Sequence, residues 1–223
     1  MRGDIVHAPD GTEITLVDVG TTVVLDDDTV RIFDVVLPAG GHHPWHLHHN
    51  PYVVLSVAGS TGRMDWLDGS PSRNISEYTG GSVVRPVSTI HCLTNTGGTR
   101  YRNRLIELKD LGEKRAEGPL FIPDARSVEG ESAGPDEADG RVPVILHDLV
   151  RVWLITVPAG GSVTLDLDDV THVIAELDAD LEGEALLNVA RTVPGGRTEL
   201  VNDQDRDRTW HVVSLDYLPR LPL

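Results

Sequence analysis

The stretch His42-His43-Pro44-Trp45-His46-Leu47-His48-His49-Asn50 holds five of the chain's ten histidines. Neutral imidazole is the commonest protein metal ligand and suits zinc, copper, iron and nickel. Side chains alternate along a strand, so His46 and His48 are expected on one face, as two donors for adjacent positions on one ion. A third donor from a neighbouring strand completes a facial set. His91, in the strand-like run Thr89–Thr94, is the candidate. His42, His43 and His49 are expected to face solvent or to stand behind the ligands. Cys92, next to His91, is expected to point to the opposite face as a small buried apolar residue.

The elements that must position these residues read as strands. Helical periodicity is almost absent, and short β-branched runs recur between turn residues, the pattern of an all-β sandwich or barrel. Candidate strands are Glu13–Val17, Thr21–Leu25, Val30–Leu37, Tyr52–Ala58, Arg63–Leu67, Ser82–Arg85, Thr89–Thr94 and Tyr101–Leu108. Residues 111–141 are rich in Gly, Pro, Glu, Asp and Ala and read as an acidic linker or long surface loop, within which Pro119–Pro123 is expected to pack locally. Strands resume at Val142–His147, Arg151–Val157, Val163–Leu167, His172–Leu177, Ala185–Arg191, Arg197–Val201 and Thr209–Leu215. Leu37-Pro-Ala-Gly-Gly41 and Val157-Pro-Ala-Gly-Gly161 each end a strand, at an offset of 120 residues, the mark of a tandem duplication. The expected domains are a metal-binding barrel over 1–110, the linker over 111–141 and a second, degenerate β domain over 142–223.

The spacing Gly40, His46, His48, Tyr52, Gly59 resembles the first motif of the cupin family, and Gly80, Pro86, Ser88, His91, Asn95 resembles the second. Together they cover residues 32–108. The resemblance implies a double-stranded β-helix (jelly-roll) barrel, two in tandem, with a divalent metal held by His46, His48 and His91 inside the first. The chain departs from the family at Tyr52, where glutamate is usual, and at Ser88, where glycine is usual. Tyrosine in this place also resembles a branch of small bacterial cupins linked to β-alanine degradation.

Three neutral imidazoles leave the charge of a divalent ion uncompensated, so the site should favour a small anionic, chelating substrate. That geometry suits Fe(II) dioxygenase chemistry, as in the thiol and the ring- or diketone-cleaving three-histidine cupins. An Fe(II) dioxygenase is the leading expectation; the same geometry suits zinc, nickel or manganese as a Lewis acid in an isomerase, lyase or cyclase, the second reading. A non-catalytic small-molecule-binding protein is the third reading. Tyr52 is read as a packing residue whose hydroxyl bonds inside the barrel, with direct ligation or a role as proton donor or acceptor as the sharper alternatives. Arg85, beside Pro86, is the preferred clamp for a substrate carboxylate. Arg63, Arg102 and Arg104 are the other candidates and otherwise surface charge. Trp45 and Trp66 are expected at the barrel mouth or in the core.

At the 120-residue offset His46, His48, Tyr52 and His91 map to Asp166, Asp168, His172 and His211, which makes a carboxylate-rich second site conceivable. The plainer expectation is a degenerate barrel that serves packing, edge cover or a homodimer face. The net charge of −16, from 19 basic and 35 acidic side chains, argues against nucleic acid and anionic membranes as partners. A single cysteine, no apolar run after Met1 and no long apolar stretch lead to the expectation of a cytoplasmic protein.

Overall fold

The computed structural model describes residues 2–178 and 180–220. The chain divides into two compact units: residues 1–79 with 84–124, and residues 80–83 with 125–223.

In the first unit the strands are β1 (Ile5–His7), β2 (Glu13–Thr15), β3 (Thr22–Asp26), β4 (Val30–Leu37), β5 (His42–His46), β6 (Tyr52–Ala58), β7 (Thr61–Trp66), β8 (Arg73–Ser76), β9 (Ser82–Arg85, from Val84 on), β10 (His91–Asn95) and β11 (Tyr101–Leu108). One sheet runs β5-β10-β7-β8, another contains β9-β6-β11-β4-β3, and β1 and β2 pair separately. Alternation along β11 sorts its two faces. Tyr101, Asn103, Leu105 and Glu107 share one, and Arg102, Arg104 and Ile106 the other.

The Pro-Ala-Gly-Gly turns form as their residues dictate. Gly40 and Gly160 take φ of +70° and +63°, which side chains disfavour, and Gly41 and Gly161 donate N–H to the carbonyls of Pro38 and Pro158 at 2.8 and 3.0 Å. After each turn the chain enters a strand, β5 in the first unit and Ser162–Leu167 in the second. Asn95, at the end of β10, donates its amide to the carbonyls of Leu37, Pro38 and Thr99. It thereby ties the β4–β5 turn to the β10–β11 turn.

The second unit contains β12 (Ala125–Arg126), β13 (Val142–Leu146), β14 (Arg151–Val157), β15 (Ser162–Leu167), β16 (His172–Glu176), β17 (Ala190–Val193), β18 (Gly196–Val201) and β19 (Arg208–Ser214). Its sheets are β13-β14-β19-β16-β17 and β15-β18. Trp153, Ile155, Leu165, Leu167, Ile174 and Trp210 pack together as its core. The strand expected over Ala185–Arg191 is instead a 3-10 turn over Gly183–Asn188, followed by β17. Ala-Leu-Leu lacks the alternation of a half-buried strand, and only Leu186 of the turn is buried while Leu187 is exposed. In the segment between the units' main strands, Leu111 and Ile122 are fully buried, and the N–H of Ser127 bonds the carbonyl of Ser82. The fold is all-β, with antiparallel sheets in each unit, as expected. No described helix is long and apolar enough to cross a membrane.

Candidate metal centre

The first unit brings His46, His48 and His91 together. All three are buried, and one donor atom from each lies within 4.8 Å of the others. Ring centroids are 4.3 Å apart for His46 and His91, and 5.3 Å for His48 with either partner. His46 ends β5, and His91 opens β10 directly opposite it.

The way β5 presents its histidines differs from a plain strand. Between Leu93↔His43 and His91↔His46 the register shifts, so Pro44 and Trp45 face one residue, Cys92. This is a β-bulge, the device that re-aims side chains near functional sites. Proline fits here because a bulge leaves one backbone N–H outside the ladder. His43 and His46, an odd number of positions apart, are consequently both buried. His48 lies beyond the end of β5, in the loop before β6, so its inward direction is set by that loop and not by strand alternation.

Burial holds His46 and His48 well below the usual imidazole value, and the neighbouring imidazoles add to this. His91 is lowered by burial too, against the opposing bond to Thr89. The three are therefore neutral at neutral pH, the form that ligates metals. Nδ1 of His46 and of His91 each lies 2.8 Å from a backbone carbonyl, of Pro44 and Thr89. A carbonyl only accepts, so each Nδ1 carries the proton and each Nε2 keeps its lone pair. Three buried, neutral, converging imidazoles fit a divalent metal ion.

Tyr52 is buried and stacks on His48, with centroids 4.1 Å apart and planes at 15°. Its hydroxyl meets Ser88 Oγ at 3.1 Å. Burial raises its pKa, so it is a protonated phenol at neutral pH. Arg85, on β9, is buried and pairs with the half-exposed Asp124 at 2.7 Å. The ring of Trp66 lies 5.2 Å from that of His91, while Trp45 is half-buried in the bulge.

The other candidates lie elsewhere. Arg63 is exposed and pairs with Asp65 at 3.0 Å. Arg102 and Arg104 are neither surface charge nor site residues. Both are buried and pair with Asp34 on β4, on the face of β11 opposite Glu107. His43 is buried, not solvent-facing, with Nε2 3.0 Å from the carbonyl of Asp18 and its ring 4.6 Å from that of His46. His42 is exposed and bonds Thr94, His49 is exposed, and Cys92 is buried.

Glu107 is a site neighbour that spacing did not single out. It is buried, and its Oε1 lies 3.4 Å from Nδ1 of His48. Burial pushes its carboxyl up to about 6. The available signal was a lone acid in a strand whose other residues on the same face are Tyr101, Asn103 and Leu105. Beyond Glu107 opens a cleft of about 740 Å³, lined among others by Val17, Phe33, Leu47 and His49.

In the second unit β15 pairs β18 with no bulge, Ser162↔Val201 through Leu167↔Gly196. Leu165 and Leu167 are buried and Asp166 and Asp168 exposed, so the two acids turn away from the interior. His211 is not the counterpart of His91. It lies on β19, which pairs β14 and β16 as β11 pairs β4 and β6. Asn202 bonds the carbonyls of Val157, Pro158 and Arg206 as Asn95 bonds those of Leu37, Pro38 and Thr99. The offset there is thus 202 − 95 = 107, and Thr198 matches His91. Among the described residues, His46, His48 and His91 are the only group of three placed so that they could hold a metal ion.

No family model matches the chain, and no curated protein does. Solved structures do. Protein YhaK from Escherichia coli is 12% identical, with 88% of this chain and 91% of that one covered at a TM-score of 0.55. A mutant of Bacillus subtilis oxalate decarboxylase is 13% identical, with 84% and 69% covered at a TM-score of 0.54. A cupin domain from Bordetella pertussis is 27% identical over 40% of this chain and 90% of its own, at a TM-score of 0.37. The likeness to the first two spans both units and is one of fold. The chain has the tandem cupin fold, with one three-histidine cluster, in its first unit, among the described residues.

Proposed function

We propose that the protein is a metal-dependent enzyme acting on a small anionic, chelating metabolite, and that the reaction is an Fe(II)-dependent dioxygenation. The observation that carries this reading is the converging, neutral set His46, His48 and His91, with no carboxylate among the ligands. When bound there, a divalent ion supplies Lewis acidity and, as Fe(II), the redox chemistry that dioxygen requires.

The chain's own residues do the rest. His46 and His91 are fixed by backbone carbonyls, so the donor set is in place before a ligand arrives. Arg85 offers a fork for a substrate carboxylate, and Asp124 occupies it meanwhile. The exposed Asp124 is the easily displaced partner of that pair. Tyr52, held by Ser88 and the face of His48, can hand a proton to a developing anion and regain it through Ser88. Trp66 limits water on the His91 side.

The same Tyr52–Ser88 pair favours a second reading, a non-redox isomerase, lyase or cyclase. The Mn(II) centres of Bacillus subtilis oxalate decarboxylase, a structural neighbour, put manganese beside iron, zinc and nickel as metals to test. Protein purified without added metal should contain iron. Reconstituted with Fe(II), it should consume dioxygen with one member of a panel of 1,3-dicarbonyls, thiols and hydroxylated aromatics. Zinc, nickel or manganese as the resident metal, with no dioxygen uptake across the panel, overturns the dioxygenase and leaves the non-redox reading.

A further inference from the structure

The three imidazoles are not held alike. His46 and His91 each present Nδ1 to the carbonyl two residues earlier. His48 has no such carbonyl. Its Nδ1 faces Oε1 of Glu107 at 3.4 Å, and neither atom has a hydrogen bond to any described residue. Both side chains are almost fully buried, at 1% and 3% exposure. The other oxygen of Glu107 is taken, by Asn50 Nδ2 at 3.3 Å and Arg31 at 3.4 Å. Oε1 is therefore the oxygen left over, and it points at the one ligand imidazole without a backbone acceptor.

We propose that Glu107 is the positioning residue of the metal site. Its carboxylate accepts the Nδ1 proton of His48 and so turns Nε2, with its lone pair, toward the other two donors. A movement of roughly 0.5 Å brings the pair to the 2.7–2.9 Å of a charge-assisted N–H···O bond. The carboxylate also returns to the site, through His48, the negative charge that Tyr52 withholds by standing where a carboxylate ligand is usual. Carboxylates behind ligand histidines fix their tautomer and raise their basicity.

The second unit supports the link. With the 107-residue offset, Glu107 corresponds to Ser214, and both face matching residues, Arg31 and Arg151. Ser214 donates its hydroxyl to Asp216. The unit that lacks the cluster also lacks the acid.

This inference rests on metal binding at the cluster, and the test separates the two. Metal-free wild type and Glu107→Gln are titrated with Co(II) and Zn(II) against a competing chelator. Glu107→Gln should bind about 10–100-fold more weakly, while its metal-free melting temperature stays equal or rises because a buried charge is gone. Long-range proton–nitrogen NMR of the metal-free wild type should show His48 protonated at Nδ1. Affinity within twofold of wild type overturns the proposal, as does an Nε2-protonated His48, which keeps the test open even if the variant folds poorly. A wild type that binds neither metal overturns the metal reading itself and this proposal with it.

Discussion

The two units share a frame and differ at its centre. Each has a Pro-Ala-Gly-Gly turn, and in each a buried asparagine, Asn95 or Asn202, gathers three carbonyls from the two neighbouring turns. In the first unit the strand after the turn bulges at Pro44–Trp45, and His46 turns inward. In the second the same strand runs regularly, Leu165 and Leu167 turn inward, and Asp166 and Asp168 reach solvent. One extra residue opposite Cys92 thus separates a strand that turns His46 inward from one that turns Leu165 and Leu167 inward. The duplication kept the turns and ladders. The bulge decides which face of β5 the interior receives.

Breaking the frame tests the comparison most forcefully at Asp34. Its carboxylate pairs with two buried guanidiniums in the first unit, and the matching place in the second is Leu154. Asp34→Ala should cost about 3–5 kcal/mol by leaving buried charge uncompensated, whereas Leu154→Ala should cost about 1 kcal/mol; chemical denaturation measures both. At the centre, His91→Ala should weaken metal binding by two orders of magnitude, or roughly 2.7 kcal/mol. Thr198→Ala, its counterpart, should leave affinity unchanged in the same chelator competition. Asn95→Ala and Asn202→Ala should each cost about 2 kcal/mol, since each strips several buried partners. Only the first should also weaken metal binding, because Asn95 ends the strand that His91 opens.

The smallest effect is in pH. In the metal-free protein His46, His48 and His91 sit below the ordinary 6.5, so the unfolded chain binds more protons as pH falls through 6.5. Stability should then drop with falling pH. Glu107 has the opposite sign. Its folded carboxyl takes up a proton near 6 and the unfolded one near 4.5, so between those values it offsets part of the loss. A saturating metal should move the drop to lower pH, which urea midpoints between pH 7.5 and 5 will show.

Much of this was legible in the sequence. Val30–Leu37, Tyr52–Ala58, Ser82–Arg85, Tyr101–Leu108 and Arg151–Val157 are strands over the very ranges their β-branched runs mark. His46, His48 and His91 were picked out by their spacing together with the resemblance to the two cupin motifs, although strand alternation, the reason for pairing His48 with His46, is not what turns His48 inward. What was hidden depended on partners far along the chain. Arg102 and Arg104 look like the solvent face of a strand until Asp34 is placed across from them on β4. Glu107 acquires a role only beside His48, 59 residues away in number (107 − 48). The single offset of 120 failed at His211 because the stretch from Tyr52 to His91, which holds the β7–β8 hairpin, is thirteen residues longer than the stretch from His172 to Thr198, which holds the 3-10 turn over Gly183–Asn188 (39 − 26).

The central claim is that one unit binds metal and the other does not, and metal content per chain tests it most directly. Elemental analysis of the reloaded wild type should find one divalent ion per chain, falling to none in His48→Ala and unchanged in Asp166→Asn and Asp168→Asn. Two ions per chain, or an undiminished ion in His48→Ala, would contradict the account.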